Sequence, residues 1–449
     1  MNLTDLFIDN IYEFSRKNLP EELLLHARKC LLDYLAAAIA GAKEYRSVEN
    51  SLLESPVAQG SQSTIIGYDK KSSPAIAALI NGISSHAVEL DDGQRFGNIH
   101  PGAPVISALL AMGEAYNKTV DDLLRGLLVG YESVLRLACS IQPGHKLKGF
   151  HATGPCGTIG AAMGIAAMLG FSKTQFKSAL SAACTSASGI LEMIEGDTQM
   201  MPFNAGKASS NAIVAAITGK SGFKVPDDAL GGNRGFLHCF ADEVKYELLT
   251  DFTTQYYCTT NYFKPYAACG HCHASIEAAL RIREKNNIPA SGIERIVIET
   301  YKLALRGHDH TVIDGVNSAR MSIPYSAAVA LVKGSAGIDD FSESVIKDEK
   351  LMGLVSKVSV VENEELTRQS PAKRMAIMTV YTSDEKYREA VAYPKGQPEN
   401  PMTLDDISNK FFECGRSVGV KNAQLETIRE IVLNKKDSVI GELMKCLNK

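Results

Sequence analysis

The amino-acid sequence predicts an α+β protein: a large all-helical domain formed by both chain ends, with a smaller α+β domain inserted between them. Three observations lead there. The chain has 449 residues, beyond the size at which one core usually stops growing, so two domains are expected. From residue 1 to 260 the hydrophobic periodicity is helical almost throughout. From Asn261 it changes to short alternating segments, and helix returns from residue 401. The helical domain is therefore expected at 1–260 and 401–449 and the inserted domain at 261–400, with the cleft between them as the default place for a site.

Each element has its own signal. Pro20 to Ala42 opens on Pro-Glu-Glu, places Leu24, Leu31, Leu35 and Ala38 on one helical face, and stops at Gly41. Thr119 with Asp122 is a weaker form of the capping box, ahead of LLRGLLVGYESVLRLAC, and Ser172 with Gln175 repeats the device before FKSALSAACTSA. Between them the run GPCGTIGAAMGIAAMLGF, Gly154 to Phe171, is long enough to raise the question of a membrane span and holds a G-x-x-x-G at Gly160 and Gly164. Ala and Gly gain little in lipid and the run stands alone, so a buried helix with close-packed neighbours is expected, and no membrane association. After residue 261, IERIVIETYKLA (293–304) and KVSVVENEEL (357–366) read as strands, and MAIMTVYTSDEKYREAVAY (375–393) as two strands around a polar turn. Helices are expected at His271 to Lys285 and Pro324 to Lys333, and a last helical stretch runs from Pro401 to Leu447.

Composition narrows the function classes. Hydrophobic residues at 45% and charged residues at 22% describe an ordinary globular chain, and the net charge of -4 with a pI near 6.2 offers no footprint for nucleic acid or an anionic membrane. The first residues, MNLTDLFIDNIYEFSRK, carry Asp5 and Asp9 and lack a basic start followed by an apolar core, so no secretory signal is read and a cytoplasmic location is expected. The ten cysteines are scattered without a framework, which suits a reducing compartment.

Five stretches set ionisable groups among small residues. In SSHAVELDDGQRFGNIHPGAP, an isolated Asp91-Asp92 pair would read as a helix cap; His86, Arg95 and His100 around it make a candidate site, without the tight ligand spacing of a metal centre. KGFHATGPCGTIGAA places His151 before a Gly-rich helix start able to meet a carboxylate or phosphate, although a single His is more often structural. MMPFNAGKASSNA carries Lys207 on an apolar helix, where a lysine is an edge residue or an anion ligand. NYFKPYAACGHCHASIEAAL holds Lys264 and the C-x-x-C-H of Cys269, Cys272 and His273, which fits c-type haem attachment, a zinc knuckle or a redox pair. Haem attachment normally accompanies export, and zinc needs a second ligand pair, for which the dense HDH at 308–310 is the other cluster. SARMSIPYSAAVAL places Arg320 and Tyr325 at a helix start, with core packing the plain reading of the tyrosine.

Together NGISSHAVELDDGQRFGNIHPG, GFHATGPCGTIGAA, MMPFNAGKASSNA, YFKPYAACGHCHASIEAAL, SIPYSAAVAL and AYPKGQPENPMTLDDISNKF resemble, in order, segments of the MmgE/PrpD family. That family includes 2-methylcitrate dehydratase, cis-aconitate decarboxylase and iminodisuccinate epimerase. The resemblance implies that the inserted domain is a lid, that the protein is a homodimer, and that a small carboxylate substrate is bound at the domain junction without metal, haem or organic cofactor. It implies that Asp91, His100, His151, Lys207, Lys264 and Tyr325 line the pocket, and that the CGHCH turn brings the lid toward substrate with its Cys pair incidental as a metal or redox motif; Cys269 and His273 are expected among the substrate-binding residues. Two departures stand out. The Arg95 to Ile99 stretch differs from that expected of the 2-methylcitrate and cis-aconitate enzymes, and Cys269 stands near the position where a family decarboxylase has a histidine.

Such substrates react through a carbanion or enediolate beside a carboxylate. Lys207, Lys264 and Arg95 suit the electrostatic task of holding the flanking carboxylates. His100 and His151 are the acid and base in an order the sequence leaves open, Asp91 orients an imidazole, and Tyr325 donates to the leaving group. The expected activity is a hydro-lyase resembling 2-methylcitrate dehydratase, with an epimerase or decarboxylase on a related polycarboxylate as alternatives. The reading from another class is a metal- or haem-binding module at Cys269, Cys272 and His273.

Overall fold

The computed structural model describes residues 2–194, 198–286 and 288–448. The chain forms two units, one of Met1–Ala87, Asp91–Asn261 and Thr403–Lys449, the other of Val88–Leu90 and Tyr262–Met402.

The first unit is helical, and local chemistry starts its helices where the sequence signals them. Thr119 accepts from the Asp122 amide and the Asp122 carboxylate accepts from the Thr119 amide, both at 3.2 Å, opening helix Val120–Ile141. Ser172 and Gln175 do the same for Lys173–Ser186. Helix Pro155–Met168 is buried along nearly its whole length and lies against Val120–Ile141. A Cβ at Gly160 would come 2.9 Å from the Gly130 carbonyl oxygen, and one at Gly164 2.7 Å from that of Gly126. The small-residue run therefore serves backbone contact between two helices, and among the described residues no helix is long and apolar enough to cross a membrane.

Helix Glu21–Gly41 packs against Leu404–Ser417. Leu31, Leu35, Ile407 and Phe411 are fully buried, each contributing about 1.5–3 kcal/mol by removal from water. The Lys410 ammonium meets the Asp33 carboxylate at 2.6 Å inside this contact, a pair that fixes the register of the C-terminal segment. One feature departs from a purely helical reading. Ser63–Thr64 and Lys71–Ser72 form a two-residue antiparallel ladder, held down where Thr64 donates through its amide and hydroxyl to the Glu114 carboxylate at 2.6 and 2.8 Å.

The second unit is α+β. Strands β1 (Ile293–Thr300), β2 (Val358–Glu362), β3 (Ala376–Thr382) and β4 (Lys386–Val391) form a sheet of order β2-β1-β3-β4, with β1 and β2 parallel and the other pairs antiparallel. Helix His273–Lys285 packs on β3 and β4 and against Ile323–Lys333. Three boundaries differ from the sequence reading, the first being that IERIVIETYKLA is a strand only to Thr300, with Lys302–Leu305 a short helix. KVSVVENEEL is a strand only to Glu362, because the Asn363 side chain accepts from the Glu365 and Leu366 amides and starts helix Glu364–Gln369. The helix expected from His271 begins at His273, which leaves 269–272 as a turn closed by the Cys272 amide donating to the Cys269 carbonyl at 2.8 Å.

Candidate active site

In the first unit, helix Pro74–His86 ends on a buried histidine, and the chain returns at Asp91 to meet it. One oxygen of the Asp91 carboxylate, Oδ2, lies 2.7 Å from His86 Nδ1 and 3.4 Å from His100 Nδ1, and the two rings are 4.8 Å apart. His100 Nδ1 is also 2.8 Å from the Asp92 carbonyl oxygen. Both neighbours of that nitrogen accept, so the ring proton of neutral His100 sits on Nδ1 and the lone pair on Nε2.

Asp92 faces the other way and has a structural task. Its carboxylate accepts from the Gly102 amide at 3.0 Å, the Tyr131 hydroxyl at 3.0 Å and Asn261 Nδ2 at 2.8 Å, which caps the start of helix Gly102–Ala115 and fixes the loop that carries His100. Burial, reinforced by the negative charges of Asp33 and Asp91, pushes its carboxyl up to about 8. The folded protein thus keeps a proton that the unfolded chain releases near pH 4, and stability is lost as pH rises through that window. Asp92→Asn is expected to gain thermal stability relative to wild type as pH is raised from about 5 to 8; a difference in melting temperature that stays flat over this range would count against it.

His151 and Lys207 meet through one amide. Lys207, on helix Met200–Lys220, donates to the Ser188 carbonyl at 2.7 Å, the Ser188 hydroxyl at 2.9 Å and Asn204 Oδ1 at 3.1 Å. The ammonium fixes the amide so that Asn204 Nδ2 points to His151 Nδ1, 3.1 Å away. Nδ1 of His151 therefore accepts, and neutral His151 carries its proton on Nε2. Its tautomer is opposite to that of His100. The two loops are joined, since the His100 amide donates to Thr153 Oγ1 at 3.2 Å. All three Lys207 partners are neutral, and among the described residues no carboxylate lies within ion-pair distance of it. Burial pushes its pKa down to about 8, so at neutral pH it is a cation whose partners among the described residues are all neutral, an environment an anionic ligand would complete.

Arg95, also in this unit, is buried, with its guanidinium 5.0 Å from the Phe96 ring, at the start of a tight turn in which Gln94 and Ile99 exchange both backbone hydrogen bonds. The remaining expected residues lie in the second unit, where several have other tasks. Lys264 is fully buried and bound to the Glu89 carboxylate at 2.7 Å, so its charge is already matched. Glu89 has φ 53°, a left-handed conformation rare for a residue with a side chain. Tyr325 is buried and donates its one proton to the Asp340 carbonyl at 2.8 Å. That bond makes Tyr325 a core residue tying its helix to the following loop, in place of the leaving-group donor the sequence suggests. His273 packs on Tyr266 with Nε2 3.0 Å from the Ala268 carbonyl, so it stabilises the turn it follows. Cys269 is half-buried, and burial raises its thiol pKa, with Glu89 adding to the effect.

The set Cys269, Cys272 and His273 does not converge. Cys272 points its sulfur at the Arg320 and Met321 carbonyls, 4.0 and 3.8 Å away, while His273 is turned to Ala268. Among the described residues, the groups whose ligand atoms do converge are His86, Asp91 and His100, and Cys269, His271 and His308. This overturns the haem or zinc reading in the form the local spacing suggests.

Sequence comparison decides the family. The MmgE/PrpD N-terminal domain matches residues 7–249 and the MmgE/PrpD C-terminal domain residues 266–436. The chain belongs to the MmgE/PrpD family. It is similar to the cis-aconitate decarboxylase-like protein oryM of Aspergillus oryzae, at 26% identity over 479 residues covering 100% of this chain and 97% of that protein. It is also similar to cis-aconitate decarboxylase of Aspergillus terreus, at 25% identity with 96% and 93% covered, and of Homo sapiens, at 24% with 99% and 95% covered. These relatives are lyase-type enzymes of the MmgE/PrpD family. Four polar residues of the network above escaped assignment from sequence. His86 lies in the quoted loop without a role, and Thr153, Ser188 and Asn204 carry no titratable signature.

Proposed function

We propose that this MmgE/PrpD protein is a cofactor-independent lyase that removes water from a small hydroxylated di- or tricarboxylate, as 2-methylcitrate dehydratase does. The observation that carries the reading is the opposite hydrogen bonding of the two Nδ1 atoms on linked loops, His100 facing a carbonyl acceptor and His151 an amide donor, which sets opposite tautomers. His100 Nε2, with its lone pair, takes the proton from the carbon beside a carboxylate. His151 Nε2–H gives its proton to the departing hydroxyl, so that water leaves as the double bond forms. Lys207 binds a substrate carboxylate and stabilises the enediolate charge. His86 and Asp91 hold His100 in the tautomer this requires.

Decarboxylation is the second reading, favoured by the named activity of the relatives. Cys269, near the position where the family resemblance leads one to expect a histidine in a decarboxylase, favours dehydration. Incubating the purified protein with citrate, 2-methylcitrate and cis-aconitate, with products followed by NMR and carbon dioxide trapped, separates them. An unsaturated product from a hydroxylated acid without carbon dioxide supports the hydro-lyase. Carbon dioxide from cis-aconitate without any dehydration moves the assignment to the second reading, and no product from any of the three would sink both.

The lysine gives a pH prediction. Because burial holds Lys207 at about 8, kcat/KM, which reports the free enzyme, is expected to fall as pH rises through that value. Lys207→Arg keeps its charge at higher pH and should carry the alkaline limb upward, even at reduced rate. A limb that does not move with Lys207→Arg would show that another group sets it.

A further inference from the structure

The CGHCH turn leaves Cys269 and His271 without a part in the chemistry above, and the second unit places them beside His308. We propose that Cys269, His271 and His308 form a binding site for a soft divalent cation of the zinc type, which the acid-base steps proposed above do not use. The three ligand atoms lie within 4.8 Å of one another, and the two imidazole rings are 4.9 Å apart. A tetrahedral zinc ion with ordinary bond lengths sets neighbouring ligand atoms about 3.5 Å apart, so side-chain movements of roughly 1 Å close the site. One thiolate and two imidazoles are a donor set that selects zinc over calcium or magnesium.

The groups behind these ligands strengthen the case. His308 Nδ1 donates to the Met321 carbonyl at 2.9 Å, and His271 Nδ1 lies 2.5 Å from the Tyr301 hydroxyl. Ligation falls to Nε2 of each ring, with the outer nitrogen held by an oxygen, as is usual for metal-bound histidines. The backbone is fixed on both sides: the Cys269 amide donates to the Arg320 carbonyl at 2.9 Å, and the Ile323 amide to the His308 carbonyl at 2.8 Å. Lys264, Arg374 and Glu89 all act on the Cys269 thiol; the two cations favour the thiolate but oppose a metal, and Glu89 does the reverse. Three protein ligands leave a fourth position for water or a carboxylate. The chain separation between Cys269 and His308 hides the site from any local motif.

The test is a cobalt titration of the full-length protein carrying Cys239→Ser, which removes an exposed thiol. Binding near one cobalt per chain, with a near-ultraviolet thiolate-to-cobalt charge-transfer band that zinc abolishes, is the expected result. Cys269→Ser should remove the band, and His308→Gln should weaken binding by ~10-fold or more. Absence of the band, its persistence in Cys269→Ser, or saturation only at millimolar cobalt would overturn the proposal. The titration before those two substitutions decides the matter even if either fails to fold. It uses no substrate, so it stands or falls apart from the lyase reading.

Discussion

His100→Ala is expected to lower kcat about 100-fold or more on the polycarboxylate that the protein turns over, the usual contribution of a positioned acid-base group. The argument rests on one carboxylate oxygen. Asp91 Oδ2 meets His86 Nδ1 at 2.7 Å and His100 Nδ1 at 3.4 Å, and together with the Asp92 carbonyl it keeps the His100 lone pair on Nε2. Asp91→Asn presents an amide to the same nitrogens, which permits the wrong tautomer, and should cost a comparable factor although Asp91 itself exchanges no proton with substrate. Because Asp91 acts through His100, the double variant should be little worse than His100→Ala alone. The check is steady-state kinetics on all three variants, with circular dichroism to confirm folding. Turnover within a few-fold of wild type in His100→Ala, or losses that multiply in the double variant, would remove the pair from the mechanism.

What could be read from the chain, and what could not, divides by the range of the interaction. The α+β class and the capped helix starts at Thr119 and Ser172 were legible because each depends on residues three apart. The same locality misled at KVSVVENEEL, where alternation continues past the point at which Asn363 turns its side chain to cap a helix. Asp91, His100, His151 and Lys207 stood out because each carries a titratable group among small residues. Asn204 sets the tautomer of His151 from 53 positions away, and nothing near it in sequence marks an asparagine as a switch between a lysine and a histidine. Local spacing groups Cys269 with Cys272 and His273, yet the helix begins at His273 and turns both partners to backbone carbonyls. Glu89 lay inside the quoted loop throughout, but neither its positive φ nor its lysine partner is written in the neighbouring residues.

That lysine carries the second large effect. Lys264 is fully buried against Glu89 at 2.7 Å, and removing one partner of a buried pair costs about 3–5 kcal/mol because the remaining charge is left in a medium that solvates it poorly. Lys264→Met keeps the length of the side chain and deletes the charge, so it is expected to destabilise the protein by about that amount. Glu89→Gln alone should also destabilise. The double variant Lys264→Met with Glu89→Gln should recover part of the loss, since no charge then remains at the pair. Urea denaturation of the four proteins closes the cycle, and a coupling near zero would mean that the ion pair does not stabilise the unit. The result bears on function as well as stability. A lysine already neutralised by a glutamate is a weak anion receptor, whereas Lys207 faces only neutral acceptors among the described residues. If the double variant folds and keeps its substrate KM, carboxylate binding rests on Lys207 and not on Lys264. A large rise in KM in the folded double variant would return Lys264 to the substrate.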